Sequence, residues 1–424
     1  MVVGGGFGGA FAAREAESRL RERGAHILLV APENYLLFSP ILPEVASGTV
    51  EPRHAVVPLR ELLKSTDVLI GAVTSIDVAA RRACVRTIDG DEGDIVYRSL
   101  VLAPGSRPAT LPIPGVKENA VGFKSISDAI WLRNRVLHQL EAASAAGSRQ
   151  RRRELLTFTF VGGGYAGVEA LAELESLVRE VLPRYPSLRS SDFRWVLVEA
   201  QDTLLPGLEP RLAEYTAKVL SARGVEVRVS TRLNSAEDKM VVLSDPQVEP
   251  YRSEVIAWTI GQKPSPLTRQ PGLPVDDRGR IEVDEYLRVN GLQGVYAVGD
   301  SAAVPNPDGG LCPPTAQHAF RQGIVCGRNV AADFGVGSPA PFTYRTRGLA
   351  VTLGQGEGTA QVRRFLFRGW PAWSMGRAYH LLMMPAWGRR VRIVSDWTIS
   401  VLFHRDVTEF TALGEVPPAQ LPEY

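Results

Sequence analysis

Gly162, Gly164 and Gly167 stand in the run Phe160-Val161-Gly162-Gly163-Gly164-Tyr165-Ala166-Gly167-Val168-Glu169. The Gly-x-Gly-x-x-Gly spacing suits a backbone that must close on a pyrophosphate. The first glycine permits a tight turn, the second lets the main chain approach the phosphates, and the third lets helix and strand pack closely. Farther on, an apolar run over 195–198 ends in Glu199, a carboxylate that can accept from both ribose hydroxyls and would repel a 2′-phosphate. This turn is therefore expected to hold NADH through Gly162, Gly164, Tyr165, Ala166, Gly167 and Glu199, in preference to NADPH. Glu169, in the first helical turn, reads equally as a functional acid or as one stabilised by the helix dipole.

The elements that must position these residues are legible. A strand over 158–161, a helix over 168–181 and a strand over 195–198 give the strand-turn-helix-strand order that makes a glycine motif informative. The acid lies beyond the usual spacing of about 20 residues, and 183–193 reads as a longer helix end and loop.

A second copy of the motif opens the chain at Gly4-Gly5-Gly6-Phe7-Gly8-Gly9, followed by a helical pattern over 10–23, Gly24 as a cap, and a strand over 26–30. Two dinucleotide sites in one chain are implied. Only Met1, Val2 and Val3 stand ahead of the glycines, so either the strand before this turn is short or the true start lies upstream, and the following strand ends in Ala31-Pro32, leaving Glu33 as the nearest acid.

The remaining pattern alternates between the two units. Residues 35–58 read as a loop rich in proline and apolar side chains that covers something buried, and 68–96 alternates as a small antiparallel layer with a turn at Asp89-Gly90. A buried strand ends in Leu102-Ala103-Pro104-Gly105-Ser106, 122–146 is helical by spacing, and 147–153 reads as a basic, solvated linker. A helix over 212–221 and strands over 225–229 and 255–261 complete the inner unit, the last ending at Gly261. The stretch 294–300 then delivers Gly299 and Asp300 to a strand's carboxyl end, before a helix over 315–334. The expected architecture is α/β: an NAD(H) domain over 125–264 inserted into an FAD domain formed by 1–124 and 265–335, with a C-terminal region over 336–424.

In 424 residues, 48 Lys and Arg balance 46 Asp and Glu, which gives no case for nucleic acid. Cys84, Cys312 and Cys326 have neither Cys-x-x-Cys nor metal-ligand spacing, so no metal site is expected. No apolar run reaches the roughly 18 residues of a spanning helix, and no leader pattern precedes the first motif. Within 342–410, Trp370, Trp373, Leu381, Leu382 and Met383 alternate with Arg363, Arg364, Arg368, Arg377, Arg389, Arg390 and Arg392. That suits an interfacial anchor, with Pro371 and Pro385 interrupting any long helix. The expectation is a cytoplasmic protein, peripheral on the inner face of the cell membrane; the alternative for this region is packing on the flavin domain or in a homodimer.

Taken together, these residues resemble the flavoprotein oxidoreductases with two dinucleotide domains, of the pyridine nucleotide-disulfide oxidoreductase type without its redox cysteine pair. Within them the chain resembles the type II, non-proton-pumping NADH:quinone oxidoreductases. The resemblance rests on both glycine turns, Asn34 to Pro43, Leu102 to Ser106, Val198-Glu199-Ala200, Tyr296 to Asp300 and Pro313-Pro314-Thr315-Ala316-Gln317, and covers nearly the whole chain. It implies FAD at Gly4, Gly6, Phe7, Gly8, Gly9, Glu33, Ala103, Gly105, Gly299, Asp300, Thr315, Ala316 and Gln317. It also implies that Glu169 and Gln317 are catalytic, Glu169 beside the nicotinamide and Gln317 facing a quinone. The sequence departs from the pattern at Ala103-Pro104-Gly105, where Ala-Thr-Gly is common. It departs also at Ala31-Pro32 in place of the acid, and at Arg321-Gln322 in place of a Gln-Gln or Gln-Glu pair. Alternatives within the class are a ferredoxin or rubredoxin reductase, a diaphorase and, less suited for want of a cysteine pair, a sulfide:quinone oxidoreductase. From another class, it would be an NADH-responsive flavoprotein acting through a partner.

Overall fold

Each glycine turn stands at the carboxyl end of the middle strand of its own five-stranded parallel array. The computed structural model describes residues 1–109, 111–346 and 348–409; the part of the expected C-terminal region from Phe410 onward lies outside them. The chain divides into two units, one of residues 1–37, 56–107 and 262–346, the other of 38–55, 108–261 and 347–424.

In the first unit, Val2–Val3 pairs in parallel with Leu28–Ala31 on one side and Leu100–Leu102 on the other, in the register Val2 to Leu29 and Val2 to Val101. Val295–Ala297 and the start of Asp67–Asp77 extend the parallel array at its two edges, and Arg82–Thr87 and Glu92–Val96 continue antiparallel from the latter. The middle strand has two residues, and it is held because it is paired on both sides and buried. The helices Phe7–Leu20 and Ala316–Asp333 pack face to face. Gly323 and Gly327, one turn apart, permit this: a Cβ would lie 2.4 Å from Gly8 O at the first and 2.6 Å from Ala12 O at the second. Phe11 and Phe320 meet edge to face beside that crossing, 4.4 Å between ring centres.

In the second unit the parallel order is Ala120–Gly122, Val255–Trp258, Thr157–Val161, Arg194–Val198, Val225–Arg228. Its strands are near-continuous apolar runs because helices cover both faces of such a sheet. Trp258, Phe158 and Phe160 are fully buried, and Trp258 Nε1 donates to Ala109 O at 3.0 Å, which satisfies the one polar atom of that side chain. A three-stranded antiparallel sheet, Gly348–Thr352, Gly358–Val362 and Phe365–Arg368, leads into the helices Gly369–Met383 and Trp387–Leu402.

Three local expectations change. Residues 149–153 are not a linker but most of the helix Arg149–Leu155, started by Ser148, whose Oγ accepts from Arg151 N, and supported by the Arg151–Glu154 ion pair. Residues 35–58 are not all loop: Tyr35–Leu37 and Val56–Pro58 form a two-stranded ladder, and the short helix Leu42–Ala46 buries Leu42, Val45 and Ala46 against the helix Tyr165–Val181. Pro371 lies in the first turn of its helix, where a missing N–H costs nothing; Pro385 alone separates two helices.

Replacing Gly323 by leucine should force the helix pair of the first unit apart. A loss of about 2–4 kcal/mol is expected, read as a lower denaturant midpoint; an unchanged midpoint would contradict the crossing described.

Candidate functional site

The two glycine turns are built alike, atom for atom. Gly4 has φ +105° and Gly162 φ +117°, backbone that L side chains rarely adopt. A Cβ on Gly9 would lie 1.9 Å from Gly4 O, and one on Gly167 2.0 Å from Gly162 O. Each helix is thus seated directly on its turn. Gly6 and Gly164 occupy the cap positions with no side-chain capping bond, and a Cβ at either would meet nothing within 4 Å. Two helix N-termini therefore face open space, the arrangement that binds phosphate.

Beside these common features the two units diverge in one position. A Cβ on Gly163 would meet Glu199 Cβ at 2.9 Å; the same atom on Gly5 would meet Ala31 Cβ at 3.0 Å. Glu199 Oε2 accepts from Gly163 N at 2.6 Å and Oε1 from Gln201 N at 2.8 Å, so the carboxylate is fixed at the lip of its turn. Ala31 offers no such group, and Glu33 stands exposed in the bend beyond Pro32.

The first unit brings the remaining expected residues to its turn. A Cβ on Gly4 would strike Ala103 O, and one on Gly8 would meet Val298 Cγ2 at 2.9 Å. Asp300 Oδ2 accepts from Ser106 Oγ at 2.6 Å, immediately after Gly105, and Gly299 N donates to Gln322 Oε1 at 2.8 Å. A small cleft follows, lined by Gly299, Asp300, Thr315, His318 and Gln322. Thr315 caps the helix beginning at Ala316, accepting from His318 N, and its hydroxyl lies 2.8 Å from His318 Nδ1. Gln317 Oε1 accepts from Tyr344 OH at 2.9 Å, while the Arg321 guanidinium lies 4.0 Å from the centre of the Tyr344 ring. Burial, and then the Arg321 charge, lower the His318 pKa, and desolvation lowers that of His380 to about 4; neither is a cation at neutral pH.

In the second unit Gly261, with φ +74°, packs against Ala109 O, and Tyr165 and Ala166 open the helix that Glu169 continues. Glu169 is buried. Its Oε1 accepts from Thr352 N at 2.9 Å and lies 3.3 Å from Thr352 Oγ1. Desolvation raises its pKa to about 8, the nearby Glu173 and Glu44 push the same way, and the Thr352 bonds only partly oppose them. Burial thus favours the protonated form of Glu169.

Ser106, Gln322, Tyr344 and Thr352 were not identified from sequence in these roles. Thr352 and Tyr344 lie far along the chain and carry no motif; Ser106 was one residue past a recognised turn.

The comparisons agree with this geometry. A family model described as pyridine nucleotide-disulphide oxidoreductase matches residues 1–323. The chain belongs to that family. Among curated members, it is 29% identical over 440 residues to "Type II NADH:quinone oxidoreductase Ndh" of Mycobacterium tuberculosis, covering 100% of this chain and 93% of the relative. It is 28% identical to a "Probable NADH dehydrogenase" of Dictyostelium discoideum, covering 91% and 86%. The solved structure of NDH2 from Plasmodium falciparum in complex with NADH shares the fold, with a TM-score of 0.87 at 18% identity over 96% of this chain and 99% of that one. Unlike what the family's description suggests, the three cysteines here are free, and burial raises the Cys312 thiol to about 11. Burial likewise raises the Cys326 thiol.

A carboxyl whose pKa is raised on folding adds stability below its unfolded value and loses it as pH climbs through the folded value. Wild-type protein should therefore lose stability relative to Glu169→Gln as pH rises from about 5 to 9, the gap in melting temperature widening by at least about 3 °C. A constant gap would mean that Glu169 is ionised throughout.

Proposed function

We propose that this chain is an FAD-dependent, non-proton-pumping NADH:quinone oxidoreductase. The carrying observation is the duplicated cradle with a carboxylate at the lip of only the second. That pair suits two different dinucleotides, and the names of relatives matched over nearly their full length agree with it. When bound, FAD supplies the two-electron carrier between nicotinamide and quinone.

The residues fit that group. The Gly4, Gly6 and Gly9 turn leaves room and N–H groups for its pyrophosphate; Asp300, oriented by Ser106, accepts from its sugar hydroxyls; Ala103, Gly105, Gly299, Thr315 and Ala316 supply close backbone. The FAD domain is assigned to 1–37, 56–107 and 262–346, and the NADH domain to 108–261, because Ala120–Gly122 pairs within the second sheet. In the latter Gly162, Gly164 and Gly167 receive the second pyrophosphate, Glu199 takes the ribose and rejects a 2′-phosphate, and Gly261 edges the same pocket. Glu169 holds a proton near the nicotinamide end of the helix N-terminus. Gln317, clamped by Tyr344 and flanked by Arg321, orients the quinone.

The C-terminal helices are assigned to the membrane surface. Among the described residues no helix is long and apolar enough to cross a bilayer. Trp387, Val391, Ile399, Leu402 and Phe403 nevertheless stand exposed, Trp387 at 75% and Phe403 at 67%, with Arg392 exposed among them. Exposed apolar side chains with arginine at their flanks suit anionic lipid.

Two tests follow. Glu199→Ala should raise the KM for NADH about tenfold and improve the relative use of NADPH; an unchanged preference would remove Glu199 from the ribose. Replacing Trp387, Val391 and Phe403 together by glutamate should abolish sedimentation with anionic vesicles while NADH oxidation with a water-soluble quinone persists. Retained sedimentation would contradict the surface assigned.

A further inference from the structure

The basic run 149–153 plays no part in the function above. In the helix Arg149–Leu155, Arg149 and Arg153 stand four residues apart and share a face, and both are exposed. That face lines a cleft of about 540 Å³, within the range of roughly 300–1,000 Å³ common to small-molecule sites. The cleft lies at the amino ends of the strands Thr157–Val161 and Arg194–Val198, whose first residues, Thr157 and Arg194, pair with one another and both line it. The glycine turn and Glu199 follow the other ends of these same strands. The rise of a strand separates the two places by about 15 Å. An occupant of the cleft therefore does not compete with a dinucleotide on the turn.

The charge of the cleft is lopsided. Four guanidiniums line it, those of Arg149, Arg153, Arg194 and Arg252, against the carboxylates of Glu154 and Asp192. Both carboxylates are occupied: Glu154 accepts from Arg151 at 3.1 Å and from Gln150 Nε2 at 3.2 Å, and Asp192 accepts from the backbone N of Arg189 at 2.9 Å. Arg194 is held in a fork by Glu226, at 2.8 and 3.1 Å, and its guanidinium lies 3.9 Å from the centre of the Tyr251 ring. Tyr251 is fixed in turn, its hydroxyl accepting from Thr159 Oγ1 at 3.3 Å. Arg252 donates to Glu254, a carboxylate shared with Lys239, Arg135 and Arg151. Among the described residues, Arg149 and Arg153 have no carboxylate within ion-pair distance.

Two uncompensated cations on one helix face, beside two more already locked in orientation, make a site for an anion of more than one charge. Planar guanidiniums match phosphate oxygens in pairs, which favours a phosphoryl group. Half-buried Phe193 in the same lining supplies a flat apolar surface, and Gln150 and Ser191 supply hydrogen bonds beyond the charge. We propose that this cleft binds a soluble phosphate anhydride of the nucleoside-diphosphate class, its phosphates on Arg149 and Arg153 and its ring against Phe193.

The test titrates ADP, pyrophosphate and adenosine by calorimetry into full-length, flavin-loaded protein saturated with NAD+, so that both glycine turns are filled. One ADP should bind per chain, pyrophosphate should bind several-fold more weakly because it leaves Phe193 uncovered, and adenosine should give no heat at about 1 mM. Arg149→Ala combined with Arg153→Ala should weaken ADP at least about tenfold, while melting temperature, flavin content and NADH oxidation stay at wild-type values. Arg149→Lys with Arg153→Lys should recover only part of the affinity, because an ammonium cannot fork. Wild-type protein that binds no ADP at about 1 mM overturns the proposal, as does an ADP affinity unchanged in the alanine pair, or pyrophosphate as tight as ADP. Displacement of bound ADP by vesicles containing phosphatidic acid would assign the arginines to lipid phosphate and overturn the soluble ligand. Should the protein take up no NAD+, the functional reading fails, and the alanine pair still decides this one, since only ADP seated in the cleft responds to it.

Discussion

A carbonyl oxygen pressed against a bare α-carbon is the constraint from which the rest of this structure follows. Gly4 O against Gly9 and Gly162 O against Gly167 leave no room for even a methyl group, so each helix begins immediately after its strand. That proximity aims the first helical turn at the space over Gly6 and Gly164. Because both turns terminate the middle strand of a parallel array, ligand sites stand at the carboxyl edges of the sheets, where neighbouring strands also deliver Asp300, Glu199 and Gly261.

Chemistry enters through what surrounds this shared frame. At the position facing the turn, Glu199 brings a carboxyl group to the second cradle, whereas Ala31 brings none to the first, where Ser106 and Asp300 are bonded to one another. Behind the second cradle, burial does what a catalytic motif does elsewhere: it moves Glu169 into the range where a carboxyl exchanges its proton near neutral pH. The same burial draws Glu173, Glu44, Arg377 and Arg405 into one charge set, so the C-terminal helices are tied to the interior behind the nucleotide turn and not merely attached to the surface.

Local order was readable from the chain. The strand, glycine turn and helix around Gly162 are found within a few residues of their expected bounds, because apolar runs, glycine spacing and caps are near-neighbour effects. What escaped were effects of distant sequence. Ser148 and a Glu154 partner turn a basic run into the helix Arg149–Leu155, and the burial of Leu42–Ala46 depends on a helix more than a hundred residues later. Thr352 bonds Glu169 across 183 positions, and no local pattern announces it.

The most direct test compares Gly6→Val with Gly164→Val, since a Cβ at either position meets no protein atom within 4 Å and projects into the open space at the helix N-terminus. The measurement is the visible spectrum of each purified protein before and after anaerobic NADH. If the cradles serve two different nucleotides, the first variant is colourless, and the second is yellow, resists NADH and bleaches with dithionite. If both variants retain flavin and both are bleached by NADH as wild type is, the two turns do not hold the dinucleotides and the account is wrong.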